Sequence, residues 1–204
     1  MISIIDYGLG NLKAFANIYK RLNINAELVT SKEQLIKADK IILPGVGAFD
    51  HAMDKLNNSG LSSLLNELVI SKKVPVLGIC VGMQMLAKSS DEGVAKGLEW
   101  IDGDVKLFNT DKIKHVTKIP HMGWNDAIII KNNPLFKDLD ASPLFYFLHS
   151  YYFFCRNQDD ILAQSEYGER FTCAINHENI YGVQFHPEKS HNNGIQLLKN
   201  FATI

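Results

Sequence analysis

Three side chains in this sequence have the types and local spacing needed for nucleophilic catalysis: a cysteine set between glycines, a histidine, and a carboxylate two positions after it. The cysteine stands in Gly78-Ile79-Cys80-Val81-Gly82. A short apolar run (Val74, Val76, Leu77, Ile79) precedes it and reads as a buried strand, while Met83, Met85 and Leu86 begin a helical pattern. Gly-x-Cys-x-Gly between a strand and a helix is the cysteine form of a nucleophile elbow. A strand that turns at once into a helix strains its nucleophile, and side chains next to it would strike neighbouring backbone, hence the glycines. At a helix start, free N–H groups and the positive dipole end favour a thiolate. The pentapeptide alone fits a core cysteine beside two turn glycines equally well.

A cysteine nucleophile needs a base in reach and a group to orient that base. Near the C-terminus lies Gln184-Phe185-His186-Pro187-Glu188-Lys189-Ser190. In an extended segment residues two apart share a side, so His186 and Glu188 are expected to project together, with Pro187 favouring the extended form. Glu188 would then accept from one imidazole nitrogen while the other faces the thiol. His51, His115, His149, His177 and His191 show no metal-ligand spacing, and most are expected at the surface or in packing. No metal and no cofactor is expected.

The elements that must position these groups follow from periodicity. Residues 2–6 read as a strand, and Gly8-Leu9-Gly10-Asn11 turns it into a helix bearing Leu12, Phe15, Ile18, Tyr19 and Leu22. Lys13 stands where a dinucleotide fingerprint needs its third glycine, so that reading is rejected. A strand at 26–29, a capping box at Ser31-Lys32-Glu33-Gln34, a strand at 40–43 and helices over 48–58 and 61–72 lead to the strand before Cys80. Strand and helix alternate, which argues for a parallel sheet covered on both faces. After about residue 98, strand-like runs dominate, at 104–108, 127–130, 144–148, 161–164, 171–175 and 180–185, and a last helix starts near 190. No repeat or linker divides the chain, so residues 1–204 are read as one α/β domain.

Bulk composition narrows the classes. The 204 residues are 46% hydrophobic and 21% charged with a net charge of −1, which suits a globular protein and offers no electrostatic grip on nucleic acid or membrane. No apolar run approaches the ~20 residues of a membrane helix, and the first residues lack a basic leader pattern. With three cysteines and no CxxC, neither a disulfide framework nor a zinc site is expected. Cys155 and Cys173 are expected to be inert core residues, and the compartment cytoplasmic.

The elbow and the His-x-Glu pair together resemble the class I, or triad, glutamine amidotransferases, over residues 77–84 and 182–190. Within that family Lys118-Ile119-Pro120-His121-Met122-Gly123-Trp124-Asn125, residues 6–11 and Pro44-Gly45-Val46-Gly47 are similar to the glutaminase subunits of imidazole glycerol phosphate synthase. The likeness spans the whole chain. It implies a flavodoxin-like three-layer α/β fold, with a mostly parallel central sheet and antiparallel strands in the C-terminal half. It also implies a Cys80–His186–Glu188 triad that hydrolyses L-glutamine through a thioester. By the same resemblance the oxyanion donors are the N–H of Val81 and an N–H of the loop at Gly45, Val46 and Gly47. Glutamine would be held by Gly47, Gln84, Ser150 and Tyr151; threonine is commoner in the family where Ser150 stands, and the hydroxyl is kept. Asn11, His121, Trp124 and Asn125 would meet a partner near an ammonia passage. Nothing in this chain could itself use ammonia, so a partner is expected, and the resemblance implies a (β/α)₈ synthase of histidine biosynthesis. The same active-site residues also fit a paralogue feeding a sugar amidotransferase of bacterial surface-polysaccharide synthesis, which residues 15–22 and 190–194 resemble at least as much.

Overall fold

A computed structural model describes residues 1–204. The first half alternates as its periodicity predicts: β1 (Ile2–Ile5), α1 (Leu12–Arg21), β2 (Ala26–Val29), α2 (Lys32–Leu35), β3 (Lys40–Gly45), α3 (Phe49–Asn58), α4 (Ser62–Asn66), β4 (Val76–Cys80) and α5 (Val81–Gln84). The second half is strand-rich: β5 (Ser89–Ser90), β6 (Gly103–Leu107), β7 (His121–Asp126), β8 (Ile128–Ile129), β9 (Leu144–His149), β10 (Tyr151–Cys155), β11 (Ile161–Tyr167), β12 (Glu169–His177) and β13 (Ile180–Val183), before α6 (His191–Thr203).

The main sheet runs β2-β1-β3-β4-β13-β12-β10-β6-β5, with β11 and β8 branching from β12. Strands β2, β1, β3, β4 and β13 are mutually parallel. β12, β10 and β6 add antiparallel pairs. Every residue of β1 and β4 is buried, as strands covered on both faces must be. Helices α1 and α6 pack together, tied by the Tyr19 hydroxyl donating to the Leu198 carbonyl at 3.1 Å. One continuous apolar core runs beneath both halves.

Local chemistry sets the boundaries. Ser31 forms the expected capping box: its hydroxyl accepts from the Gln34 N–H, and the Gln34 side chain accepts from the Ser31 N–H. The helix expected over 61–72 stops at Asn66 and continues as a wider π-type turn, Glu67–Ser71. There the Val69 carbonyl accepts from the Asn179 side chain, and Lys72 N–H bonds the Glu67 carbonyl five residues back. The strand expected at 127–130 shrinks to β8. The longer strand is β7, which pairs antiparallel with β9, His121 opposite His149 and Trp124 opposite Tyr146, in a separate two-stranded sheet.

Candidate active site

Three parallel strands end side by side. Gly45 of β3 pairs with Cys80 of β4, and Val183 of β13 pairs with Ile79. Their carboxyl ends therefore bring together the 44–47 loop, Cys80 and residues 184–188, the place where open α/β sheets assemble sites. Cys80 has φ 55° and ψ −114°, a conformation costly for any residue with a side chain. The elbow glycines are there for the steric reason expected. A Cβ on Gly82 would lie 1.9 Å from the Leu43 carbonyl oxygen, and one on Gly78 would lie 2.6 Å from the Gly82 oxygen. No larger residue lets α5 sit this close to β3 and β4.

His186 follows β13, and its Nδ1 lies 3.0 Å from Glu188 Oε1, with both side chains buried. The two meet differently from expectation. Pro187–Lys189 is a single 3₁₀ turn rather than extended chain, and Pro187 supplies the fixed φ suited to its first position. Gly194 lets α6 close over that turn, because a Cβ there would lie 1.8 Å from the Pro187 oxygen. Ser190 fastens the arrangement, donating to the His186 carbonyl at 2.6 Å and accepting from Tyr146 N–H at 3.0 Å.

Burial pulls the His186 pKa down, but interaction with the Cys80 sulfur and with Glu188 outweighs it and raises the value to about 10. The charged imidazole is thus favoured where it stands, between the sulfur and the Glu188 carboxylate. Cys80 and His186 line the same cavity, and catalytic contacts of this kind commonly tighten only when substrate binds. Glu188 Oε2 is buried with no partner. The imidazolium is therefore the chief compensation for that carboxylate's charge.

A cavity of about 290 Å³ opens beside the sulfur. Of the residues expected in it, Cys80, Val81, Val46, Gly47, Gln84, Ser150, Tyr151 and His186 line it. Gly45 does not; it stands behind them in the β3–β4 ladder. Gln84 is nearly buried, with its amide nitrogen committed to the Tyr151 carbonyl (3.0 Å) and Gln184 Oε1 (3.1 Å), so Oε1 is the atom left for a ligand. The loop is braced from below: the Tyr7 hydroxyl donates to the Pro44 carbonyl at 2.5 Å, and Gly10 packs against the Pro44 ring. Burial, and then the nearby Cys80, hold the Tyr7 hydroxyl well above its ordinary pKa, so it stays a donor.

Five further residues line the cavity, and three of them carry charged or titratable side chains to which the sequence assigned no place there. Glu92 brings a carboxylate into the cavity and accepts from Phe49 N–H at 2.8 Å. Lys189 lies at the wall with Nζ 5.7 Å from the Tyr146 ring centre. His149, expected to be surface or packing, is buried at the cavity edge. No spacing links Glu92 to Cys80, because the loop around β5 carries it there.

The segment expected to face a partner divides. Trp124 is exposed and stacks on His191, and Asn11 is exposed at the start of α1 with no capping bond from its side chain. His121 is buried between the rings of Tyr167 and Phe147, and Asn125 turns inward to His121 and the Glu166 carbonyl. β7 alternates, so both lie on the face opposite Met122, where they line the hollow beside the strand. A wider hollow of about 830 Å³ beside β7, walled by Lys112, Lys114 and His115, holds no nucleophile. No group of three His, Cys, Asp or Glu is disposed to hold a metal. No disulfide forms, and burial, with the nearby Asp160 charge, pushes the Cys155 thiol up to about 12. Cys173, fully buried, is likewise raised.

The fold and the convergence of strand ends on a strained cysteine agree with the family comparison. The glutamine amidotransferase class-I model matches residues 3–204, and the chain belongs to that family. It is similar to imidazole glycerol phosphate synthase subunit HisH of Leptospira interrogans, with 54% identity over all of both chains. The subunit of the same name from Bdellovibrio bacteriovorus is 57% identical, again over the full length of both. Among solved structures, a putative GMP synthase subunit from Thermoplasma acidophilum superposes with a TM-score of 0.74 at 22% identity, covering 99% of this chain and 92% of that one. At that identity the likeness speaks for the fold.

Proposed function

We propose that this chain is the glutaminase subunit of an imidazole glycerol phosphate synthase, hydrolysing L-glutamine and passing ammonia to a (β/α)₈ synthase subunit in histidine biosynthesis. The observation that carries the reading is that Cys80 and His186 line one cavity, with Glu188 paired to His186 Nδ1, on a chain with full-length likeness to such subunits. Cys80 thiolate attacks the carboxamide carbon of glutamine. The oxyanion is met by the Val81 N–H and an N–H of the 44–47 loop, donors each worth about 10²–10³ in rate. His186 gives its proton to the departing ammonia as the C–N bond breaks. A water then attacks the thioester and yields its proton to His186, and the C–S bond breaks to release glutamate and restore the thiolate. Glu188 holds the ring. Gly47, Gln84, Ser150 and Tyr151 bind the amino-acid end of the substrate, with the Glu92 carboxylate suited to the α-ammonium.

The synthase docks on the outer face of β7 and β9, where Met122, Trp124, Leu144 and Leu148 are exposed together, and the exposed Asn11 shares this role. His121 and Asn125 act from beneath that face. The whole chain works as one domain, in the cytoplasm, where its three unpaired cysteines stay reduced. The test is complementation of a histidine auxotroph lacking this subunit, with the chain co-expressed with its synthase. Growth without histidine is expected. No growth from a soluble, assembled pair would overturn the assignment and point to the surface-polysaccharide paralogue.

A further inference from the structure

A line of buried polar groups runs from β7 to the sulfur of Cys80, and its chemistry allows only one direction of donation. It begins at the Tyr151 carbonyl, which can only accept. Two groups reach it: His149 Nδ1 at 2.8 Å and Gln84 Nε2 at 3.0 Å. His149 must therefore carry its proton on Nδ1, leaving Nε2 to accept from His121 Nδ1 at 3.1 Å. His121 Nε2 in turn accepts from the Asn125 amide at 3.2 Å. On the other arm, the same carbonyl forces the nitrogen of Gln84 inward, and that nitrogen also donates to Gln184 Oε1 at 3.1 Å. With Oε1 so used, Gln184 presents Nε2 to Cys80 Sγ at 3.8 Å. Gln184 is wholly buried and His149, His121 and Gln84 almost so, which holds each link in place.

We propose that Gln184 is a further catalytic residue, its side-chain N–H stabilising the Cys80 thiolate, and that Gln84, the Tyr151 carbonyl and His149 are the chain of contacts that aims it. This rests on the reading of Cys80 as the nucleophile. A fixed, buried donor costs no reorganisation when the sulfur becomes charged. It also resists loss of the thiolate between turnovers, when no substrate oxyanion occupies the other donors. The ionisable groups around the sulfur are His186 and Tyr7, with Glu92, His149 and Lys189 on the cavity wall.

The full chain is treated with iodoacetamide over a range of pH, and alkylation at Cys80 is followed by peptide mass spectrometry. Gln184→Met keeps the length and removes the donor. Its alkylation midpoint is expected about one pH unit above wild type, the lower end of what a hydrogen bond to a charged group supplies. Gln184→Glu keeps the shape but sets a second negative charge by the sulfur, and should move the midpoint further in the same direction. Gln184→Leu, which likewise removes the donor and adds no charge, carries the test if Gln184→Met fails to fold. Unchanged midpoints in folded variants would overturn the proposal, since an amide that only fills space would leave the thiol profile alone. Wild-type glutamine turnover is read separately with the partner present. Its absence would sink the glutaminase reading, whereas turnover with unshifted variants would sink only the role of Gln184.

Discussion

Substituting Gly82 by alanine should disable the site without touching any reacting group. The new Cβ would lie 1.9 Å from the Leu43 oxygen and 2.9 Å from its carbonyl carbon, both backbone atoms of β3, where contacts under 3.0 Å force something to move. Opening the gap requires a displacement of roughly 1 Å between the start of α5 and the end of β3. Leu43 runs directly into the 44–47 loop and Gly82 is two residues from Cys80, so the shift falls between the nucleophile and its oxyanion donors. Overpacking of this kind costs about 1–3 kcal/mol of stability, and a misplacement near 1 Å costs on the order of 10² in rate. Gly60→Ala is the control: φ is +75° and nothing lies within 4 Å of the added carbon. It should lose about 1–2 kcal/mol through conformation alone, with turnover unchanged. The assays are urea unfolding of each variant and glutaminase kcat in the assembled enzyme. Wild-type kcat in a folded Gly82→Ala protein would refute the packing argument for the elbow.

Glu188→Gln removes the charge 3.0 Å from His186 Nδ1 in a buried pair. A hydrogen bond to a charged group is worth about 1.5–3 kcal/mol, so kcat should fall roughly 10- to 100-fold with KM little changed. Steady-state kinetics checks this, and an unaltered kcat would remove Glu188 from the machinery. The buried imidazoles of His121 and His149 set the acid limit of stability. Burial, and then the charge of a neighbouring histidine, lower their pKa values to about 4 and about 3. Between those values and the ~6.5 of a free histidine, the unfolded chain binds protons that the folded one does not. Stability therefore falls as pH drops through that window, by about 1.4 kcal/mol per pH unit for each ring. His121→Phe keeps the stacking between Tyr167 and Phe147 and should flatten the acid limb of a urea-stability profile by about one proton. An identical slope would show that the ring does not resist protonation.

The elbow was legible because its glycines answer to sterics that sequence displays directly: a strand, a turn and a helix with no room for Cβ atoms at 78 and 82. The parallel half was legible because its apolar periods are unbroken. β7 was not. Its inward residues are His121 and Asn125, and its outward ones are Met122 and Trp124, so hydrophobic alternation reads it inside out. The inner face is polar because it builds a satisfied hydrogen-bond chain, and the outer face is apolar as a docking surface would be. The 3₁₀ turn that joins His186 to Glu188 was likewise hidden. Its cause is Gly194 and Ser190 closing on Pro187 from α6 and β9, contacts that no local pattern carries. Ser150 divides one apolar run into β9 and β10, which lie in different sheets, a split set by pairing partners far along the chain.

The central claim is that sulfur 80 carries the glutamyl group. Wild-type enzyme, assembled with its synthase and turning over glutamine, is quenched in acid and digested, and its cysteine peptides are weighed. A glutamyl thioester on the peptide containing Cys80, absent from those of Cys155 and Cys173 and from a Cys80→Ala protein that no longer consumes glutamine, is the result predicted. Continued glutamine hydrolysis by Cys80→Ala, or an acyl group found on a different residue, would contradict it.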